Sequence, residues 1–572
     1  MAKEILLTNL DELVVEQENL STTTVRDKWR VMEYETGYFK GKMLCAFELV
    51  NPKPITLKLG VKGIYKMYLG TIPFVNAGIS MGVKINALDN KDIIDFKDDT
   101  WKPEQHWAPY SYAKEHFYKY VDFTKDDTIV INKPDYWLAK ETYVAYIRLV
   151  ESTKEEQLEY AKPRVGCVNY HFDWDFYLEE AYKNPSEWIS RMTMLNGMGS
   201  EKVFFETNFD NLQPADEDMI NESMRHTKGV PRINQFIKQR DVLRPAFIKT
   251  AHDMGMEIYG THRMEMGDFF FCHEPNANYS KNYPEYRCKT RDGKVIGALS
   301  YAYLQTRQMK VAEMATYANV YDGISLIYHR GTHVAFEEPV LNAVQEKYGV
   351  DARTLQRSDE RLIDVTCGFM TQFMRELRAA VPSDKKINVI VYYDAELSRQ
   401  YGLDVETWAK EGLIDSVSQG IMNHFEDIGP CIDEKGLVDL EKYKEYIKMH
   451  QPVKRIYAAE AEAIPLFIKG SKEFLEIANK YGIEYFGSLA WEGNNVEDYT
   501  KLAVAQKEIG VKKFLSWDSN HKAKRLSRIN AEKYISRAEN IEVKTVEDFV
   551  VYHRVLSIDG HDISAVNPNW RG

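Results

Sequence analysis

Eight short apolar runs, each ending in polar or charged residues and each followed by an amphipathic stretch, fill the last two thirds of the 572-residue chain. The runs are Val165 to His171, Val203 to Asn208, Met256 to His262, Gly323 to Arg330, Ile387 to Asp394, Asp415 to Met422, Lys454 to Glu462 and Ile483 to Glu492. Short apolar runs bounded by turn residues read as buried strands, and strands alternating with helical patterns read as βαβ units. Eight such units predict an α/β fold of the (β/α)8 TIM-barrel kind, in which the strand C-termini form the reactive face. The helical stretches support this on their own terms. Asp359 to Ala380 places Leu362, Ile363, Val365, Phe369, Met370, Phe373, Met374 and Leu377 at helical spacing, and Pro382 marks its stop.

Before the barrel the pattern changes. From about Val31 to Val150 the chain shows short alternating or apolar runs: Met43 to Val50, Ile55 to Gly60, Gly63 to Leu69, Met81 to Ile85, Thr128 to Ile131 and Thr142 to Leu149. Pro, Asn, Asp and Gly punctuate them without intervening amphipathic helices, which predicts an N-terminal all-β sandwich. The division expected is a sandwich over 1–155, a catalytic barrel over 163–530 and a C-terminal extension over 531–572. The charged stretch Glu151 to Lys162 reads as the linker, and Val543 to Ile558 as a segment that packs back on the sandwich. Two connections, Phe209 to Asp241 and Arg263 to Leu299, exceed the few residues usual for βα loops and predict the walls of a pocket.

Composition narrows the function classes. The formal charge of −12 opposes an electrostatic grip on a phosphate backbone, so nucleic acid is not the expected partner. Six cysteines lie scattered, with no C-x-x-C pair to suggest a zinc ribbon or a disulfide framework. The acidic stretch Met1 to Leu20 lacks the basic and apolar regions of a secretory signal, and no apolar run reaches membrane-spanning length. A cytoplasmic protein without a membrane partner is expected, with a homo-oligomer left open. Aromatic residues make up 12% of the chain; they fill cores, and they also stack on sugar rings.

Strand side chains two apart share a face, which makes some pairs at the run ends coherent. Glu206 goes with Asn208, Asp394 with Glu396, and Glu460 with Glu462. Carboxylates at an apolar strand's mouth are costly to bury unless paired or used. Cations join them: His262 and Arg263 end the third run, His329 and Arg330 the fourth, and His171 the first. Trp491, Glu492 and Asn494 close the last run, where an indole could floor a sugar subsite. Two carboxyl groups flanking a glycosidic bond suffice for hydrolysis, one protonating the departing oxygen and the other attacking the anomeric carbon or activating water. That chemistry requires no cofactor.

A wider pattern supports a carbohydrate substrate. Leu299-Ser300-Tyr301-Ala302-Tyr303, Arg307, Tyr321 to Leu326, Arg330-Gly331, Phe336-Glu337-Glu338-Pro339 and Tyr348-Gly349, together with Gly63 to Gly70 and Trp517-Asp518, make a chain that resembles the glycosyl hydrolase family 10-like barrel proteins, mostly uncharacterised bacterial sequences. The resemblance implies an N-terminal β-sandwich, a catalytic barrel and action on glycosides. This chain departs from it in one respect: Ile327 stands after the fourth-strand Ser-Leu, where similar sequences carry an acid, with Glu337 or Glu338 as substitutes on the next loop. By analogy with glycosidase barrels that place the nucleophile at the end of strand seven, Glu460 is the first choice, with Asp394 and Glu206 for acid/base work. Two other readings stand beside it. One is a metal-assisted sugar isomerase, epimerase or lyase using His171, Glu206, His262 and Asp394; the other is a non-catalytic sugar-binding barrel.

Overall fold

A computed structural model of the chain describes residues 3–75, 79–86, 91–96, 109–134, 140–163, 167–170, 195, 197–206, 244–264, 283–329, 332–420, 464–489, 495–517 and 525–565. For 167–170, 206, 296 and 297 the backbone alone is described. Eight parallel strands pair in chain order: Cys167–Tyr170, Lys202–Glu206, Glu257–Arg263, Gly323–Ile327, Lys386–Val391, Ser416–Gln419, Glu484–Leu489 and Lys513–Ser516. The eighth pairs back to the first, through Cys167 beside Leu515 and Val168 beside Ser516, and the ring closes.

The pairings reassign the last strands of the ring. Ser416 in the sixth strand pairs directly with Glu484, and the run Lys454 to Glu462 lies outside the described residues. The run expected as eighth, Ile483 to Glu492, supplies the seventh strand. The eighth is Lys513–Ser516, which is not among the eight runs.

The ring interior is layered. At the N-terminal end of the strands Glu484 accepts from Lys202 and Lys513, each at 2.6 Å, and Lys513 also reaches Glu201 at 2.6 Å. Burial alone would raise the Glu484 carboxyl, but the two ammonium groups outweigh it and hold the group at about 2. Above this, Phe204 lies 5.6 Å from Tyr259 and 6.3 Å from Phe486, so strands two, three and seven meet across the axis. Gly323 makes room for this layer, because a Cβ there would fall 2.9 Å from Tyr259 Cε2. On the other side of the interior, Ser325 Oγ donates to Asn388 Oδ1 at 2.9 Å, and Asn388 Nδ2 donates to the hydroxyls of Ser416 and Ser418 at 2.8 and 3.0 Å. A buried amide satisfied in this way fixes the relative height of strands four, five and six.

Before the ring, the N-terminal strands form a four-stranded antiparallel sheet and most of a mainly antiparallel sheet of ten. Alternation sorts each strand: in Ile64–Thr71, Tyr65, Met67 and Leu69 are buried, while Ile64, Lys66 and Tyr68 are not. The C-terminal strand Val550–Ile558 enters the larger sheet between Tyr112–Asp122 and Trp29–Thr36, so the two ends of the chain share one sheet. The stretch read as a linker forms the helix Lys154–Ala161, started by the Thr153 side chain accepting from the Glu156 N–H. Among the described residues no helix is long and apolar enough to cross a membrane.

Candidate functional site

The C-terminal ends of strands four, six and eight converge on one point. His329, two residues past strand four, meets Trp517, the residue after strand eight, edge to face with centroids 4.7 Å apart. A Cβ on Gly420, just past strand six, would lie 3.0 Å from the His329 ring, so the imidazole rests against bare backbone there. Three strands from different parts of the ring can share a contact only through its interior. The His329–Trp517 pair, 1% and 0% exposed, therefore closes the top of the interior. Arg263 ends strand three beside Ile327 and shares a face with Tyr259 and Thr261, which places its buried side chain on the axial side.

The other candidates fall in different places. His262 alternates with Arg263 and faces outward, its ring stacked 5.8 Å from Tyr317 on the helix Leu304–Ala318 and 3.6 Å from Glu313. It is thus not on the axial side with Arg263, because neighbouring strand residues point to opposite faces. Strand five stops at Val391, so Asp394 and Glu396 do not extend it. Asp394 instead caps the helix Ala395–Gln400, accepting from the Leu397 N–H at 2.6 Å, and lies 3.9 Å from Lys469 on the helix Ile464–Tyr481. Burial pushes its carboxyl up, against the Leu397 hydrogen bond. Glu396 is the second residue of the capped helix, with Lys469 at 3.2 Å. Glu206 is the last residue of strand two, its side chain outside the described set. His171, Asn208, Arg330, Glu460, Glu462, Trp491, Glu492 and Asn494 lie outside the described residues.

Glu337, a possible stand-in for the missing acid, is fully buried and bound as a structural tie. It accepts from the Ser300 hydroxyl, the Ala335 N–H at 3.1 Å and the Lys289 N–H at 3.4 Å, fastening the loop after strand four to the hairpin Arg287–Lys289 and Val295–Leu299. Glu338 opens the next helix. Among the described residues no group of three or more His, Cys, Asp or Glu side chains is placed to hold a metal ion. Of the four residues that a metal reading would need, His262 and Asp394 face different helices.

The same loop contains a pH-sensitive group. His333 is buried, its Nε2–H donating to the Tyr328 carbonyl at 2.7 Å, and desolvation drops the imidazole from its ordinary 6.5 to about 4. Between these values the unfolded chain binds a proton that the folded chain refuses, so stability falls as the pH drops through the window. The full loss is about 3 kcal/mol. Urea midpoints at about pH 4.5 and about pH 7 should therefore converge in His333→Gln relative to wild type. Equal acid slopes in the two proteins would remove His333 as the source.

Sequence reasoning missed Trp517 as a mouth residue. The signal was present in Phe514-Leu515-Ser516-Trp517, a short apolar run ending in an aromatic residue, but its place in the ring depends on which run is seventh. The same shift gives Glu492 a new position. It follows the seventh strand by three residues in sequence, while Glu460 falls in the connection after the sixth.

No protein-family model matches the sequence, and no curated protein matches it. Solved structures similar to the chain include the glycoside hydrolase domain of PgaB (BpsB) from Bordetella bronchiseptica, at 11% identity and a TM-score of 0.39, covering 67% of this chain and 99% of that one. The CBM22-1–GH10 modules of Clostridium thermocellum endo-1,4-beta-D-xylanase 10B match at 11% identity and 0.29, over 85% and 86%. The beta-glucosidase of Pyrococcus furiosus matches at 10% and 0.31, over 63% and 86%.

Proposed function

We propose that the chain is a carbohydrate-active enzyme, a (β/α)8 barrel behind an N-terminal β-sandwich, that hydrolyses an oligosaccharide or glycoside at the ring's mouth. The observation that carries this reading is the axial His329–Trp517 contact, with Arg263 on the neighbouring wall. It sets buried aromatic, imidazole and guanidinium groups directly beneath the mouth, the kinds of group that recognise a pyranose ring. The βα connections that leave the strands at this end contain the acids. Glu492 follows strand seven and takes the nucleophile's place by fold-level analogy, and Glu206, ending strand two, is its acid/base partner. Glu206 protonates the departing oxygen as Glu492 attacks the anomeric carbon, and then draws the proton from the water that releases the sugar.

Asp394 is the alternative donor, since burial favours its protonated form, though its cap and Lys469 already occupy it. Glu460 is the alternative nucleophile, on the connection after strand six. His171, Asn208, Arg330 and Trp491 are proposed to contact substrate along with Arg263 and His329. Incubation with neutral and acidic oligosaccharides and aryl glycosides should release new reducing ends. Saturable binding without product from any of them would instead assign a binding barrel. Isomerised sugar with a stoichiometric metal would assign the isomerase reading.

A further inference from the structure

A second cavity, of about 550 Å³, lies between the helix Leu526–Arg537 and the larger antiparallel sheet. Its volume is within the roughly 300–1,000 Å³ usual for small-molecule sites. It is far from the mouth in the fold. The helix starts on the strand C-terminal side and runs back, and its Ser536 and Lys533 side chains lie against Gly199, just before the N-terminal end of strand two. A site here takes no part in bond cleavage, which in such rings belongs to the opposite face.

The lining alternates flat rings with charged groups. Tyr68 and Phe117 meet edge to face at 5.4 Å, Phe117 and Tyr160 at 5.5 Å, and Tyr534 lies 6.1 Å from Phe549. Between the rings stand Asn530, Lys533, Arg537, Glu115 and Asp548. The wall is pinned in place. Arg148 grips Glu115 with two hydrogen bonds at 2.9 and 2.6 Å while lying 3.9 Å over Tyr68, and Asn530 Nδ2 donates to the Phe117 carbonyl at 3.0 Å. Arg148 holds Glu115, Thr545 and Lys544 hold Asp548, and Arg537 donates to the Tyr160 carbonyl, so the polar groups stand in fixed positions, and a phosphate would meet two carboxylates. A pyranose matches both kinds of surface, with its C–H faces for the rings and its hydroxyls for acids, amide and cations.

We propose that this cavity is a second saccharide site, holding one pyranose unit of a glycan chain away from the mouth. It rests on the hydrolase reading for the choice of probes and for the mouth as the other of the two binding sites. Val551, half exposed, sits at the opening, so a larger side chain there plugs the cavity from outside the core. The test is calorimetric titration of the full-length Glu492→Gln protein with cellohexaose, xylohexaose and hexagalacturonate. At least one hexamer should bind at two sites, falling to one site in Glu492→Gln/Val551→Trp and in Glu492→Gln/Phe549→Ala, with the circular dichroism of all three proteins unchanged. An equal number of sites in the three proteins overturns the proposal, as does no binding of any hexamer. If wild type cleaves aryl glycosides while the site count ignores Val551 and Phe549, this site alone fails; if no glycan is bound or cut, both readings fail.

Discussion

Glu492→Gln is expected to lower turnover of a susceptible aryl glycoside on the order of 10³-fold, with little change in KM, whereas Glu460→Gln keeps more than about a tenth of wild-type turnover. The amide has the carboxylate's shape and cannot attack the anomeric carbon, so the loss appears in kcat and binding survives. The difference between the two glutamates follows from the ring. Ser416 pairs with Glu484, which makes Glu484–Leu489 the seventh strand and puts Glu492 three residues past its end. Wild-type kcat in Glu492→Gln would dismiss that residue, and a collapse in Glu460→Gln instead would return the nucleophile to the connection after strand six.

The reassignment shows where the sequence was readable. Seven of the eight strands lie at expected runs, the first six of them in the expected places, because strands buried on both faces write continuous apolar stretches. A run as short as Phe514-Leu515-Ser516 does not by itself mark a strand, so the sequence does not single out the eighth. Only pairing does so, and pairing is a property of the closed ring. Local chemistry was also partly legible. Alternation alone separates His262 from Arg263, whereas the spacing of Asp394 and Glu396 fits a strand face as well and hides the helix start at Asp394. The convergence of His329, Gly420 and Trp517, by contrast, joins residues up to 188 positions apart, a distance no local pattern spans.

Lys310→Met should destabilise the protein by about 3–5 kcal/mol, a large downward shift in the urea midpoint. Lys310 and Glu313 sit one turn apart on the helix Leu304–Ala318, 2.6 Å from each other, with side chains 0% and 5% exposed behind strand three. Each ion was taken out of water on folding, and their mutual attraction offsets that cost. Removing the ammonium leaves the Glu313 carboxylate buried beside the His262 ring. Lys310→Met/Glu313→Leu removes both charges and fills the space with apolar volume, so its midpoint should recover most of the loss. A double variant as unstable as the single one would mean that packing, not charge, sets the stability here. The mouth should register the difference as well, because Arg263 follows His262 on the same strand. Loosening strand three against its helix should raise KM more in Lys310→Met than in the double variant, with kcat changing less than KM in both.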